Sequence, residues 1–260
     1  MILSHRHRFI FIKTEKTAGT SIEIALSKVC GPDDVITPVV HPDDRALKES
    51  LGAGYRDAQH ELVPLSKYTP LDLAQAIARR RRLRFENHMG AAEIRRFVDP
   101  EVWATYFKFC VERNPWDKVV SAYWWWRHLE SQYRDDPAGF ARGLGRYADG
   151  VIRTIEMRPV GDRSLSEFVQ SGRANLVRGF DLYSIDGEVV VDRVLRFERL
   201  DEELRSVAEH LGIRDLPPLP RAKSGSRPKT AGYREALSPA DRDKIARVFA
   251  REIAWFGFES

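Results

Sequence analysis

The segment that most constrains this chain lies almost at its start. Four apolar residues, Phe9 to Ile12, run into the polar stretch Lys13-Thr14-Glu15-Lys16-Thr17-Ala18-Gly19-Thr20-Ser21, and Ile22, Ala25, Leu26 and Val29 follow at helical spacing. An unbroken apolar run suits a strand covered on both faces, as in a parallel sheet. Run, loop and helical stretch therefore make a strand–loop–helix unit. Residues 106–111 repeat the pattern: a breaker at 112–115 separates this apolar run from a helix predicted over 116 to about 130. A third strand is predicted over 189–197, joined by the hairpin signal Asp186-Gly187 to a strand at 180–185. Helices are predicted over 70–82, 91–97, 201–211 and 239–256, with a short one from 165. Residues 85–89 read as a short strand, 31–68 as irregular structure, 134–150 as an exposed insertion and 216–232 as a basic, proline-rich loop. Strands alternating with helices imply an α/β chain, with a central, mainly parallel sheet flanked by helices on both faces.

Lys and Arg total 42 against 38 Asp and Glu, a net charge of +4. So small an excess makes no case for a nucleic-acid partner, but it accommodates an anionic ligand at a local basic site. Cys30 and Cys110 lack CxxC spacing, so they read as core thiols in a reducing compartment, with no zinc site or disulfide scaffold expected. The basic start, His5 to Arg8, precedes only four apolar residues, short of the about 7–15 of a secretory signal. No stretch approaches the roughly 18 apolar residues of a membrane span. A cytoplasmic protein is expected. Nothing in the sequence speaks to its oligomeric state.

The loop between the first strand and helix carries two lysines, four hydroxyls and a glycine. Backbone N–H groups at a helix start bind anions, and glycine lets a loop approach its ligand closely. Lys13, Lys16, Thr17, Ala18, Gly19, Thr20 and Ser21 are thus candidate phosphate ligands. The plainer reading is a basic turn before a Thr- or Ser-capped helix. The loop is not a Walker A motif, which sets a glycine before the lysine. In the second unit, Arg113 falls at a strand end and Ser121 inside the next helix. Arg113 could grip a phosphate through two parallel hydrogen bonds, or pair with a carboxylate.

These two segments, KTEKTAGTS after one strand and RNPWDKVVSAY after another, resemble the carbohydrate-type sulfotransferases that use 3′-phosphoadenosine-5′-phosphosulfate (PAPS). That family's pattern is a PKTGGTS-like loop for the 5′-phosphosulfate and an RNPxxRxxSxY-like segment for the 3′-phosphate. Residues 194–200 (VLRFERL) resemble its RFExL block, and Tyr233 with the helix ending in WFGF resembles its closing helix. The resemblance leaves gaps at about 31–84 and 127–160. Glu15, Ala18 and Lys118 stand where the family often has Pro, Gly and Arg.

The resemblance implies one domain over residues 1–260, a P-loop-like three-layer fold, and transfer of a sulfuryl group from PAPS to an acceptor hydroxyl, leaving 3′,5′-ADP. The expected acceptor is a small molecule or glycan, and no metal is expected. Lys16 would stabilise the leaving phosphate, residues 17–21 would hold the 5′-phosphate, and Arg113 and Ser121 the 3′-phosphate. Lys223, Ser224 and Arg227, in the basic loop, would help close over the nucleotide.

A general base is also needed, and histidine titrates closest to neutrality. His88, in the block FENHMG between the two phosphate segments, is the first candidate and His60 the second. Glu86 would share a face with His88 on a strand and orient it. Of Trp124, Trp125 and Trp126, one or two would border the acceptor, since helical neighbours sit about 100° apart. Arg79 to Arg82 read as a solvated face or a guide for an acidic acceptor. Two other functions stay open: a P-loop-type nucleotide kinase, with Asp192 its sole plausible carboxylate for Mg²⁺, and a non-catalytic nucleotide- or glycan-binding protein.

Overall fold

Side-chain alternation along the strands decides how this sheet is covered. The computed structural model describes residues 1–157, 159–222, 227 and 232–260. Five strands, β1 (Ile2–Ser4), β2 (Phe9–Phe11), β3 (Val35–Ile36), β4 (Phe107–Glu112) and β7 (Arg193–Arg196), form one sheet in the order β3-β1-β2-β4-β7. The remaining two, β5 (Ser184–Ile185) and β6 (Glu188–Val189), form a separate hairpin. Asp186 and Gly187 at its tip have φ of 53° and 87°, the left-handed pair that a tight hairpin turn requires.

The chain is α/β, with a mixed five-stranded sheet flanked by helices. β2 pairs in parallel with β4, and β4 with β7, whereas β1 is antiparallel to both β2 and β3. The expected mainly parallel sheet is therefore corrected to a mixed one. The reason is the reversal at residues 5–8, where Arg8 (φ 53°) turns the chain straight from β1 into β2.

Helix α1 (Gly19–Val29) packs on one face of the sheet. Next come α2 (Pro42–Ser50), α3 (Pro70–Ala78), α4 (Ala91–Phe97), α5 (Pro100–Thr105) and the long α6 (Pro115–Asp135). The chain continues through α7 (Pro137–Leu144), α8 (Ala148–Met157), α9 (Leu165–Gln170), α10 (Phe180–Tyr183) and α11 (Leu200–His210). It closes with α12 (Tyr233–Ala236), α13 (Pro239–Val248) and α14 (Ala250–Phe256). On the first face, Phe9, Phe11, Phe109, Val111 and Leu195 meet Ile22 and Leu26 of α1 and Leu204 and Val207 of α11. On the second, Leu3, Ile10, Ile12 and Cys110 meet Ile94 and Phe97 of α4 and Tyr183 of α10. A third cluster joins α6 to α9 and α13 through Trp116, Val119, Phe168 and Ile245.

Other expectations change as well. Residues 180–183 are helical because Phe180 and Tyr183, three apart, both enter the second core cluster with ring centroids 5.5 Å apart. A strand would send two such residues to opposite faces. Residues 85–89 form a turn instead of a strand, with His88 at φ 60°. The irregular stretch and the exposed insertion hold α2, β3, α7 and α8, anchored by buried Val35, Ile36, Leu144 and Ile155. Among the described residues, no helix is long and apolar enough to cross a membrane.

Candidate functional site

The first junction is a loop whose backbone turns left-handed twice. Lys16 has φ 58° and Ala18 φ 60°, while Thr17 between them does not have positive φ. Such alternation turns successive N–H groups toward one point, an anion-binding nest. Ala18 precedes α1 as its N-cap without a side-chain cap, and the first helical bond runs from the Ile22 N–H to the Ala18 carbonyl at 3.1 Å. The amides of Gly19, Thr20 and Ser21 thus have no intrahelical acceptor. An alanine with φ 60° costs about 1–2 kcal/mol relative to the right-handed region. Gly19 is required by close approach: a Cβ there would lie 2.6 Å from Cγ of Lys13.

Lys13 itself is reassigned. It is 5% exposed, and its ammonium pairs with buried Glu23 and lies 3.3 Å from Oδ1 of Asn87. Burial alone would raise the Glu23 pKa, but Lys13 and the Met1 ammonium outweigh it and hold the carboxyl at about 2. Lys13 therefore braces the loop from behind, instead of contacting a phosphate. Thr17 is likewise turned inward: its hydroxyl lies 2.8 Å from that of Thr14, which donates to the Val111 carbonyl and ties the loop to β4. Thr20 and Ser21 are buried at the helix start, and Oγ of Ser21 accepts the Ala222 N–H at 3.2 Å.

The second junction meets the first directly. Arg113, at the end of β4, donates from Nη1 to the Lys16 carbonyl at 3.0 Å. Its Nε and Nη2 donate to Oδ2 of Asp117 at 2.8 and 2.5 Å, and Nη1 of Arg227 donates to Oδ1 of the same carboxylate at 2.5 Å. The guanidinium predicted to bind a 3′-phosphate and that of Arg227, from the loop predicted to close over the nucleotide, are thus gathered on one acid in the first turn of α6. Burial alone would raise the Asp117 pKa; Arg113 and Arg227 hold it below the ordinary carboxylate range. Burial lowers the Arg113 pKa, against the pull of Asp117. Lys223 and Ser224 lie outside the described residues.

The flanking motif residues are structural. Asn114 caps α6 by accepting the Trp116 and Asp117 N–H groups at 3.1 and 3.3 Å, and its own N–H donates to Oε1 of Glu198 at 2.7 Å. Glu198 belongs to the RFERL block, so that block stitches the end of β7 to the end of β4. Lys118 pairs at 2.6 Å with Glu112, both fully buried. Burial pushes the Glu112 carboxyl up, against the pull of Lys118.

On α6, Asp117, Ser121, Trp125 and His128 fall on one face at helical spacing. Ser121 is half-buried on that face. Trp125 carries the Lys16 ammonium 4.8 Å from its ring centroid, while Trp124 and Trp126 turn into the third core cluster. His41 meets the Trp125 ring edge-on at 5.2 Å, and His128 lies 5.8 Å from the same ring. Nothing along the chain distinguishes these two histidines; only their distance to Trp125 in space singles them out.

His88 is half-buried, and its Nδ1 lies 3.0 Å from the Lys13 carbonyl. A carbonyl only accepts, so Nδ1 carries the proton and a neutral ring keeps its lone pair on Nε2. Glu86 is corrected: with residues 85–89 in a turn, its carboxylate lies outward, paired with Arg81 at 3.2 Å. His60 is exposed and binds the Pro32 carbonyl at 2.9 Å. Asp192 accepts the Lys108 N–H at 2.6 Å near the start of β4, the opposite end of that strand from Arg113.

A cavity of about 590 Å³ lies beside α1 and not over the Arg113–Lys16 contact. Glu23 and Thr37 line its inner end; Arg45, Tyr55, Arg56 and Tyr147 line the rest. Its walls come mainly from residues 36–58 and 144–147, inside the segments that the sequence resemblance leaves open.

No family model matches the chain. A curated protein of Archaeoglobus fulgidus, described as an uncharacterized protein, is 26% identical over 128 residues, which is 48% of this chain and 83% of that relative. No solved structure matches.

Proposed function

We propose that this chain is a PAPS-dependent sulfotransferase with a P-loop-like three-layer fold, acting on the hydroxyl of a carbohydrate or glycan-like acceptor. The observation that carries this reading is the 3.0 Å contact between Arg113 and the Lys16 carbonyl. It joins the two strand-end junctions into one cationic site, as a ligand carrying two phosphate groups requires.

The nest at residues 16–21 holds the 5′-phosphosulfate, with Lys16 moving from Trp125 to the oxygen bridging phosphorus and sulfur. Arg113, Arg227 and Ser121 hold the 3′-phosphate, which takes the place of Asp117 as their anionic partner. His88 accepts the acceptor's hydroxyl proton at Nε2 as the new oxygen–sulfur bond forms. The old bond from sulfur to the phosphate oxygen breaks, and Lys16 stabilises the negative charge left on 3′,5′-ADP. Positioning and charge stabilisation dominate such group transfers. Trp125 and the cavity beside α1 shape the acceptor side.

Transfer from radiolabelled PAPS across a panel of acceptors tests the proposal, with Lys16→Ala expected to abolish it. Stabilisation by 3′,5′-ADP separates this reading from a kinase, since a bound ligand raises the melting temperature. Stabilisation by ATP with Mg²⁺ but not by 3′,5′-ADP would refute it.

A further inference from the structure

Apolar exposure in this molecule is concentrated in one excursion. Of the eight large hydrophobic side chains exposed among the described residues, five lie between 62 and 77: Leu62, Leu65, Leu71, Leu73 and Ile77. Leu71 and Ile77 are the most exposed of these, at 66% and 69%. The excursion is a stalk and a tip. Its two ends are tied as an antiparallel pair, with Val63 N–H bonded to the Leu83 carbonyl at 3.1 Å and Phe85 N–H to the Glu61 carbonyl at 2.7 Å. Helix α3 forms the tip, and none of its residues is buried.

The same tip ends in four exposed arginines, Arg79 to Arg82. Arg81 pairs with Glu86. Arg79, Arg80 and Arg82 have no carboxylate within ion-pair distance among the described residues, and Arg82 donates only to the Val63 carbonyl at 3.2 Å. Arg80 also sits at φ 50°, in the helix-ending position usually given to glycine. Two neighbouring acids are already engaged, Asp72 by Arg96 at 2.6 Å and Asp99 by Lys67 at 2.5 Å.

We infer that this tip docks on the surface of a bilayer containing acidic lipids. Two observations select that partner. Leu71 and Leu73 are two residues apart on a helix, so they point about 200° away from each other. A flat protein face covers one of them; an interfacial lipid layer surrounds both. The unpaired arginines demand an anionic partner, and a second copy of this chain presents the same cations here. Apolar side chains dip into the headgroup layer while the arginines bind acidic headgroups, the division of labour of interfacial helices. This inference does not depend on the transfer reaction.

Co-sedimentation with vesicles tests it, using phosphatidylcholine alone and phosphatidylcholine mixed with phosphatidylserine. The wild-type chain should pellet with the acidic vesicles, far less with the neutral ones, and should be released by high salt. The variant Arg79→Gln/Arg80→Gln/Arg82→Gln should lose about a hundredfold in partitioning, near fivefold per charge. Leu71→Asp/Ile77→Asp should lose about tenfold or more per residue. Because the tip buries nothing, both variants should keep the wild-type circular dichroism and melting temperature. Failure of the wild type to bind acidic vesicles overturns the inference. So does equal binding by the arginine variant. A dimer in sedimentation equilibrium that Leu71→Asp/Ile77→Asp dissolves, without vesicle binding, would give the face to a second copy instead.

Discussion

Replacing Asp117 by Asn should leave the free protein less stable and make it respond more strongly to a 3′-phosphorylated nucleotide. Asp117 accepts two hydrogen bonds from Arg113 and one from Arg227, at 2.5–2.8 Å, with its side chain 21% exposed. Bonds to charged groups contribute about 1.5–3 kcal/mol each, but an amide oxygen still accepts part of this set, so the net loss is about 2 kcal/mol. For a chain of this size that is a fall in melting temperature of about 4–8 °C. A bound 3′-phosphate restores the missing anion, so saturating 3′,5′-ADP should bring variant and wild type back together. The same 2 kcal/mol makes binding about thirtyfold tighter in the variant. Differential scanning fluorimetry against 3′,5′-ADP measures both effects, with 5′-AMP as the control that lacks the 3′-phosphate. A gap that persists at saturating 3′,5′-ADP, or that 5′-AMP closes equally well, would refute the idea that Asp117 holds the place of a phosphate.

Other expectations follow from the same geometry. His88→Ala should cut turnover by about 10²–10⁴ and leave 3′,5′-ADP binding unchanged; unchanged turnover would direct attention to His41 and His128, beside Trp125. Lys118→Met strands the buried Glu112 carboxyl and should cost about 3–5 kcal/mol, read by calorimetry, with Glu112→Gln/Lys118→Met recovering much of it. An unaltered melting temperature in the single variant would show that the pair contributes nothing. Glu23 is held at about 2 when folded against an ordinary 4.5, so its contribution is fully present above about pH 4.5 and is lost as pH falls toward 2. Urea unfolding over that window should show the wild type losing on the order of 3 kcal/mol more than Glu23→Gln, and parallel acid limbs would sink the assignment.

The candidate site was legible in part because each junction is local. The apolar run at 9–12, the Thr-Ala-Gly-Thr-Ser turn and the Asn-Pro start of α6 each encode their structure within a few residues, and the structure keeps all three. Two short-range inferences failed for a related reason. A strand over residues 85–89 would put Glu86 and His88 on one face, but a left-handed His88 makes the segment a turn. Residues 180–183 have the composition of a strand, yet two aromatics three apart fit one core cluster as a helix.

By itself, the sequence determined the alternation of strands and helices, the hairpin at Asp186-Gly187, and two basic strand-to-helix turns. Such features depend on propensity and spacing along the chain. Only the tertiary structure decided that Lys13 pairs backward with Glu23, that Arg113 and Arg227 converge on Asp117, and that Trp125 alone of three tryptophans faces Lys16. It also set the direction of β1 and gathered five of the eight large exposed apolar residues in one excursion. Those outcomes depend on which distant charges and faces come within a few ångströms, where burial strengthens every pairing, and linear order carries no record of that distance.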